Sequence, residues 1–372
     1  MKNLFKNIKK YPLIIFFGIL LYVISIADWF SPQYEFSDLE NRRLSEFPAF
    51  SLKALFNNEY TPKIEDFTED HFIKRNSWIS LKSVSETILG KGENNGIVYG
   101  KDGYLFTKSL NSDKSQMIKN ADALAKFIDF HPETNIKIMI APTAPSVLTD
   151  MVKPGSPVNN ASDSINKVTE LAGAENVIDV TSTLKSHSDE YIYYKTDHHW
   201  TTLGAYYAYS DFMQSIGRSP KPLDFFEFVN VDNFLGTHYS KSKNFNVQPD
   251  TLSYIKSDSK IEIMGKETDI YDLSKLETRD KYAMFLHGNN SMSTVKGTGE
   301  GKLLVIKDSF ANCFIPFLTA DFEQIDILDM RSYIADINLL MNEMQYDNVL
   351  VLYNSETFES DAFISRLIMY NK

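Results

Sequence analysis

The chain has 372 residues, of which 43% are hydrophobic and 23% charged, proportions typical of a folded globular protein rather than a disordered one. Its net charge of −11 argues against nucleic-acid binding, because the neutralisation of phosphates requires a basic surface. A single cysteine, Cys313, excludes an internal disulfide framework and a multi-cysteine zinc site. We expect Cys313 to be a small buried residue.

The first thirty residues have the pattern of a membrane signal. The first ten contain four lysines and no acidic residue, so the net charge divides into +4 for these ten and −15 for residues 11–372. Residues 11–27 then carry no charge, and as a helix they would extend about 26 Å, close to the thickness of the hydrocarbon core. Because lysines favour the cytoplasmic side, the rest of the chain is predicted to lie outside the cytoplasm.

Two interpretations of this segment stay open. We favour an uncleaved anchor over residues 1–30, because the apolar stretch is slightly long for a signal peptide. The alternative is cleavage after the small residues Ser25 and Ala27, which would make the protein secreted.

Residues 31–112 form a mixed, turn-rich extension in the sequence. Residues 35–48 are highly charged and predicted to be extended. Residues 97–106 contain two short β-like runs around Gly100, Asp102 and Gly103, a pattern that predicts a β-hairpin.

Residues 113–372 alternate between amphipathic helices and short apolar strands. Helices are predicted over 115–130, 162–172, 201–217, 310–319, 333–345 and 356–369, and strands over 136–142, 177–180, 282–288, 303–308, 324–329 and 348–353. This alternation predicts an α/β domain with a parallel sheet covered on both faces. Residues 218–280 are less periodic, with strand-like runs at 261–264 and 269–273, and are interpreted as an insertion.

The motif TDHHWTT, residues 196–202, is the first candidate for chemistry. Asp197 lies two residues before His199, so its carboxylate can hold one ring nitrogen while the other takes up a proton. His198 would then point elsewhere, and we interpret it as a polar residue satisfied by its loop. Adjacent histidines do not easily face one ion, and no zinc-ligand spacing is present. We therefore expect neither a metal nor a cofactor.

The second candidate is Ser309, which follows the apolar strand 303–308 and precedes a predicted helix. A serine at such a turn lies at the carboxyl edge of a parallel sheet, where α/β active sites form. The first backbone amides of the helix can stabilise an oxyanion there. The alternative is a simple helix N-cap, a role that serine often fills.

The third candidate is the pair Gly288 and Asn289, at the end of the predicted strand 282–288. Glycine allows a ligand to approach the backbone, and the asparagine amide can donate to a developing oxyanion. The pair could equally be an ordinary turn.

In this order, TDHHWT, FLHGNN and KDSF resemble the DHHW family, a relative of the alginate O-acetyltransferases AlgX and AlgJ in the SGNH/GDSL hydrolase superfamily. The likeness extends over residues 36–360 and includes ENRRLSEFP, NGIVYGKDGYLF and FLGTHYSKS. It implies an SGNH-like (flavodoxin-like) three-layer sandwich. The serine block follows the Asp-His block, as in the circularly permuted acetyltransferase branch. Lys307 departs from the superfamily, which usually has glycine before Asp-Ser.

The resemblance implies a Ser-His-Asp triad with Ser309 as nucleophile, His199 as general base and Asp197 as its orienting partner. Asn289, with Gly288, would contribute to the oxyanion hole. The implied function is O-acetylation of a cell-surface or exported polysaccharide by a membrane-anchored, extracytoplasmic enzyme. A multi-pass membrane acyltransferase would supply the acetyl group. Two alternatives remain: an esterase that removes acetyl groups with the same residues, and a non-catalytic scaffold for polysaccharide export.

Overall fold

The computed structural model describes residues 11–37, 40, 42–109 and 113–369. The four lysines that are predicted to remain cytoplasmic therefore lie outside the described residues. The chain divides into two compact units, of which the first ends at Lys91 and the second begins at Gly92.

The first unit begins with the apolar helix α1 (Pro12–Trp29). Proline is tolerated in the first turn of a helix because the N–H that it lacks would have no partner there. The mean hydropathy of the helix is 2.1 and its side chains are not buried. Within the described residues, it is the one helix with the length and composition to cross a membrane.

The rest of the first unit is a short strand pair followed by helices. The segment predicted to be extended contributes two antiparallel strands, β1 (Phe36–Ser37) and β2 (Arg42–Arg43). The helices that follow are α2 (Leu52–Phe56), α3 (Tyr60–His71) and α4 (Arg75–Ile88).

The second unit is built around a large mixed sheet. Its strands are β3 (Glu93–Asn94), β4 (Ile97–Tyr99), β5 (Leu105–Thr107), β6 (Asn135–Ala141), β7 (Phe228–Phe234), β8 (Asp250–Ile255), β9 (Lys260–Ile263), β10 (Lys266–Asp269), β11 (Met292–Lys296), β12 (Lys302–Lys307), β13 (Gln324–Leu328) and β14 (Asn348–Asn354). Its α-helices are α5 (Ser115–Phe130), α6 (Ala144–Val147), α7 (Ser162–Ala172), α8 (Thr181–Ser186), α9 (Thr202–Ser215), α10 (Thr237–Ser242), α11 (Ile315–Leu318), α12 (Ile337–Met344) and α13 (Ser355–Ser360).

Within the described residues, seven of these strands form one sheet in the order β10-β9-β11-β13-β12-β14-β6. Strands β13, β12, β14 and β6 pair in parallel, whereas β11, β9 and β10 extend the sheet by antiparallel pairing. The expected parallel sheet is therefore corrected to a mixed one. Strands β3–β5 and the pair β7–β8 form two smaller antiparallel sheets.

Both faces of the central strands are buried. In β12, Leu303 and Val305 belong to one hydrophobic cluster, which includes side chains of α9. Leu304 and Ile306 belong to a second cluster, which includes side chains of α5 and α7. Successive side chains of a strand point to opposite faces, so a strand that is buried on both faces needs the continuous apolar run seen here.

Several predicted elements are confirmed. Helices α5 and α9 occupy the predicted ranges, and the Thr201 side chain caps α9 by accepting a hydrogen bond from the Gly204 amide. The predicted hairpin is formed by β4 and β5, which pair antiparallel. Both strands belong to the second unit.

Other predicted elements are wrong. Residues 282–288 are not a strand: a 3₁₀ helix covers Lys281–Met284, and Leu286, His287 and Gly288 all have positive φ, which a strand does not allow. In the predicted strand 177–180, Val177 forms a single bridge to Ile138. Residues 261–263 belong to β9 of the main sheet, so part of the predicted insertion is integral to the sheet.

Three predicted helices are shorter than expected. Residues 310–319 divide into a 3₁₀ turn, Ser309–Asn312, and the short helix α11. The helix predicted over 333–345 covers only α12, whose N-cap is Asp336. The last predicted helix is interrupted after α13 by Asp361, which caps a new 3₁₀ helix, Ala362–Ile368. In each of the last two segments an aspartate side chain binds a backbone amide and so fixes the start.

Candidate active site

Three side chains that the sequence singled out meet in one hydrogen-bonded series. Asp197 Oδ1 is 2.5 Å from His199 Nδ1, and His199 Nε2 is 2.7 Å from Ser309 Oγ. Asp197 and His199 are both buried, and Ser309 is partly exposed. The imidazole therefore connects a buried carboxylate to a hydroxyl that a ligand can reach.

Ser309 is held at the carboxyl end of β12 by its neighbour Asp308. Asp308 Oδ1 accepts a hydrogen bond from the Phe310 amide, at 2.9 Å, and Oδ2 accepts from the backbone and side-chain nitrogens of Asn354, at 2.8 and 2.6 Å. The N-cap of this turn is thus Asp308, so the alternative interpretation of Ser309 as a simple helix cap is wrong. The Ser309 amide makes no hydrogen bond within the described part of the chain.

Asp197 is fixed through its second carboxylate oxygen. Oδ2 accepts a hydrogen bond from the Thr237 amide at 2.7 Å, and Oδ1 also accepts from the His199 amide at 3.0 Å. Burial opposes ionisation, but His198, His199 and these hydrogen bonds outweigh it and hold the pKa of Asp197 well below its ordinary value. Asp197 is therefore a carboxylate that can stabilise an imidazolium at His199.

A second buried acid holds the loop that carries Asp197. Asp250, the first residue of β8, accepts hydrogen bonds from the amides of Lys195 and Thr196 at 3.0 and 2.8 Å, from the Thr196 hydroxyl at 2.5 Å and from the Tyr191 hydroxyl. The Thr196 hydroxyl in turn accepts from the Gly236 amide at 3.0 Å. Asp250 was not predicted from the sequence, because one acid before an ordinary strand carries no distinctive signal.

Aromatic rings enclose the His199 imidazole. The ring of Tyr282 stacks on it with centroids 3.8 Å apart and an interplanar angle of 9°, and the Tyr282 hydroxyl donates to the Ser309 carbonyl oxygen at 3.1 Å. Phe310 lies on another side, with ring centroids 5.2 Å apart. Close ring packing restricts rotation of the imidazole and keeps Nε2 directed at Ser309.

Of the two predicted oxyanion residues, Asn289 contacts the strand and turn that carry Ser309. The φ of Gly288 is +84°, and the Asn289 side-chain oxygen accepts a hydrogen bond from Lys307 Nζ at 2.7 Å. Lys307 also donates to the Asn312 side-chain oxygen at 2.6 Å. Burial lowers the pKa of Lys307 to about 8. Asn289 is thus linked to the Ser309 turn through Lys307 and makes no hydrogen bond to Ser309 within the described residues.

A family model for the DHHW protein matches residues 86–328. The chain belongs to the DHHW family. A DHHW family protein from Eubacterium siraeum has a similar structure, with a TM-score of 0.63, 22% identity and coverage of 74% of this chain and 95% of that chain. PatB1 from Bacillus cereus is similar at a TM-score of 0.59 with 20% identity, and the match covers 72% of this chain and 98% of that chain. A PatB1 structure with a sulfonyl adduct is similar at a TM-score of 0.59 with 19% identity. The match covers 72% of this chain and 98% of that chain.

These likenesses establish the fold that the chain shares with these structures. A comparison with curated protein sequences gave no match.

Each residue of the DHHW motif has a different environment. Trp200 is fully buried, and its indole N–H donates to the Phe310 carbonyl oxygen at 2.9 Å, which ties the motif to the Ser309 turn. The His198 ring lies 3.8 Å from that of His199, and its Nδ1 is 3.6 Å from Asp197 Oδ1. Burial and the neighbouring His199 hold the pKa of His198 well below its ordinary value.

The DHHW motif also contains a compact set of possible metal ligands. One ligand atom each from Asp197, His198 and His199 lies within 4.8 Å of the others. Both nitrogens of His199 are already hydrogen-bonded, however, to Asp197 and to Ser309. An ion coordinated by His199 would have to displace one of these partners.

Cys313 is fully buried, as predicted for a packing residue. Its sulfur lies 3.4 Å from the Tyr282 hydroxyl oxygen, and burial raises the pKa of the thiol to about 12. Because the thiolate is the nucleophilic form, Cys313 is not a competing nucleophile to Ser309.

Proposed function

We propose that this chain is a serine-dependent O-acetyltransferase in which Ser309 is the nucleophile, His199 the general base and Asp197 its orienting partner. The observation that carries the proposal is the continuous series of hydrogen bonds from Asp197 through His199 to Ser309. This is the geometry that activates a serine hydroxyl for acyl transfer. In this proposal the second unit is a circularly permuted SGNH-like domain.

In the first half-reaction, Ser309 Oγ attacks the carbonyl carbon of an acetyl ester while His199 Nε2 takes the hydroxyl proton. The carbonyl electron pair moves onto its oxygen, which the Ser309 amide and the Asn289 side-chain N–H stabilise. The intermediate then collapses, the bond to the donor oxygen breaks, and His199 returns the proton to that oxygen. The products are acetyl-Ser309 and the donor alcohol.

In the second half-reaction, His199 takes the proton of an acceptor hydroxyl, whose oxygen attacks acetyl-Ser309. The bond to Ser309 Oγ breaks, and Ser309 recovers a proton from His199. A sugar hydroxyl as acceptor gives O-acetyl transfer, whereas water gives hydrolysis. The resemblance to the alginate O-acetyltransferases supports a polysaccharide as acceptor.

The proposed setting is the outer face of the cell membrane. Helix α1 supports an anchor, with the catalytic unit extracytoplasmic and a multi-pass membrane acyltransferase delivering the acetyl group. If the segment is instead cleaved, the same enzyme would be secreted.

Rapid mixing of the detergent-purified full chain with 4-nitrophenyl acetate tests the proposal. We expect a burst of nitrophenol and an acetyl group on Ser309 by peptide mass spectrometry, both absent from Ser309→Ala. Addition of an oligosaccharide separates the outcomes: acetylated sugar supports transfer, and free acetate alone supports the esterase. A Ser309→Ala variant that fully restores polysaccharide acetylation in a deletion strain would support the scaffold instead. Loss of the burst on chelation, restored by zinc, would support metal chemistry.

A further inference from the structure

The second unit contains a pocket of about 320 Å³ that the proposed triad does not use. Among the described residues, its lining is entirely polar or charged. The lining includes Thr107, Ser109, Asn159, Glu356, Thr357 and Ser360. We call this the Asn159 pocket. Its volume lies at the lower end of the range for small-ligand sites, about 300–1,000 Å³.

One wall of the Asn159 pocket is linked to the turn that carries Ser309. The Thr357 hydroxyl accepts a hydrogen bond from Asn354 Nδ2 at 2.7 Å, and the same nitrogen donates to Asp308 Oδ2 at 2.6 Å. Asn354 ends β14, and Asp308 directly follows β12, its parallel neighbour. The pocket is therefore at the carboxyl edge of the sheet, on the same edge as Ser309.

The opposite wall is linked to the histidine pair. The Thr107 hydroxyl is 3.0 Å from Nε2 of the buried His238. The His238 ring lies 5.9 Å from that of His198, which in turn packs on His199. The Asn159 pocket is thus connected to the Ser309 turn through Asn354 and Asp308, and to the histidine pair through His238.

The pocket contains hydrogen-bonding capacity that the protein leaves unused. Asn159 is only 6% exposed, yet its side chain makes no hydrogen bond within the described residues. The Asn159 amide is therefore available to hydrogen-bond a molecule that enters the pocket. Glu356 lines the same space. Hydroxyls, an amide and a carboxylate together match the hydroxyl groups of a sugar.

We propose that the Asn159 pocket binds the acceptor, a hydroxyl-rich sugar unit of a polysaccharide, beside acetyl-Ser309. The inference rests on the proposed function and deepens it, because it assigns residues to the second half-reaction alone. A sugar unit held there by Asn159 and Glu356 would keep its polymer at the edge of the sheet that carries Ser309, where a neighbouring hydroxyl would compete with water for the acetyl group.

The experiment measures acetyl transfer from 4-nitrophenyl acetate to three pentasaccharides: cellopentaose, N-acetylchitopentaose and mannuronate pentamer. The full chain in detergent is compared with Asn159→Ala, Glu356→Gln and Glu323→Gln. Glu323 is exposed, and it precedes β13 at the opposite edge of the sheet, so its variant is the matched control. The burst amplitude gives the concentration of active Ser309 in each preparation. Acetylated sugar is then measured by mass spectrometry with all preparations at the same concentration of active sites.

We expect Asn159→Ala and Glu356→Gln each to raise the sugar concentration for half-maximal acetylation by about tenfold, the loss of one or two hydrogen bonds. Glu323→Gln should behave as the unchanged chain. Equal sugar dependence in all variants would overturn this inference, as would a wild-type burst with none of the three sugars acetylated. The absence of any burst would instead overturn the proposed function, so the two failures are distinguishable.

Discussion

Lys307 donates from its buried amino group to the side-chain oxygens of Asn289 and Asn312. These two hydrogen bonds determine which end of each amide faces the lysine and leave the Asn289 NH₂ group directed away from it. In the sequence, Lys307 stands out only as a departure from the superfamily. The structure explains why a lysine can replace the usual glycine here: its long cationic side chain, two residues before Ser309, reaches Asn289 and orients its amide.

The pH dependence of stability is a first prediction for Lys307. Its pKa is about 8 in the folded chain against an ordinary 10.5, so the unfolded chain holds the proton more tightly and stability rises with pH between these values. From pH 7 to pH 9, the free energy of unfolding of the wild type should gain about 1 kcal/mol relative to Lys307→Met. Urea titrations at both pH values measure this, with exposed Lys153→Met as control. A difference independent of pH would contradict it.

Asp197 gives a second prediction at the same scale. Asparagine at position 197 would keep the size of the side chain but could present an N–H to His199 Nδ1, which disfavours the tautomer needed for proton transfer. We expect Asp197→Asn to lower the rate of Ser309 acylation by about 10³-fold or more. Burst kinetics with 4-nitrophenyl acetate measure the rate. Circular dichroism establishes that the variant is folded, and a folded variant with a rate within tenfold of wild type would refute the assigned role.

At the scale of elements, the segment that joins β7 to α10 contacts Asp197 of the proposed triad. A Cβ on Gly236 would lie 2.2 Å from the Asp197 Cβ and 2.3 Å from its Oδ2. The φ of Gly236 is −84°, so the requirement for glycine here is space and not backbone conformation. The segment can contact Asp197 only because this position has no side chain.

Gly236→Ala should therefore displace the Asp197 carboxylate and weaken its bond to the Thr237 amide. We expect acylation of Ser309 to slow by about 10²-fold, since a displacement of about 1 Å in a catalytic group has that effect. Gly92→Ala is the matched control, because a Cβ added at Gly92 would have no atom within 4 Å. Equal burst rates for Gly236→Ala and Gly92→Ala would show that the close approach has no catalytic consequence.

At the scale of the whole molecule, the division between Lys91 and Gly92 yields a prediction about truncation. The hairpin strands contact the motif region: the Leu105 amide donates to the Lys195 carbonyl at 2.9 Å, and Thr107 contacts His238. Residues 92–372 should therefore fold alone and retain the nitrophenol burst. Residues 113–372, which follow the boundary proposed from the sequence, should lose it. Equal bursts from both fragments would show that the hairpin is dispensable.

Membrane attachment is a separate prediction at this scale. If α1 is an uncleaved anchor, the full chain should remain in the membrane pellet after extraction with alkaline carbonate, because about 18 apolar residues suffice to span the hydrocarbon core. Deletion of residues 1–30 should move the protein to the soluble fraction. If expression of the full-length gene instead releases into the medium a protein that lacks the N-terminal residues, the segment is cleaved.

The sequence predicted the local patterns of this molecule better than its long-range arrangement. Asp197, His199 and Ser309 were predictable because each lies in a short motif next to a regular element. Asp250, Tyr282 and Gly236 were not, since their contribution depends on which distant segment they contact in the folded chain. The apolar run at 282–288 was assigned to a strand because short apolar runs do not distinguish a strand from a buried turn.

The order of the sheet has a consequence for how the protein folds. Strand β14 lies between β12 and β6, and its pairs with β6 join residues more than 200 positions apart, such as Asn348 with Asn135. The position of the Asp308 side chain also depends on β14, because Asn354 at the end of this strand donates two hydrogen bonds to one of its carboxylate oxygens. Contacts of such separation form slowly. The turn that carries Ser309 therefore reaches its folded geometry only when nearly the whole polypeptide has folded.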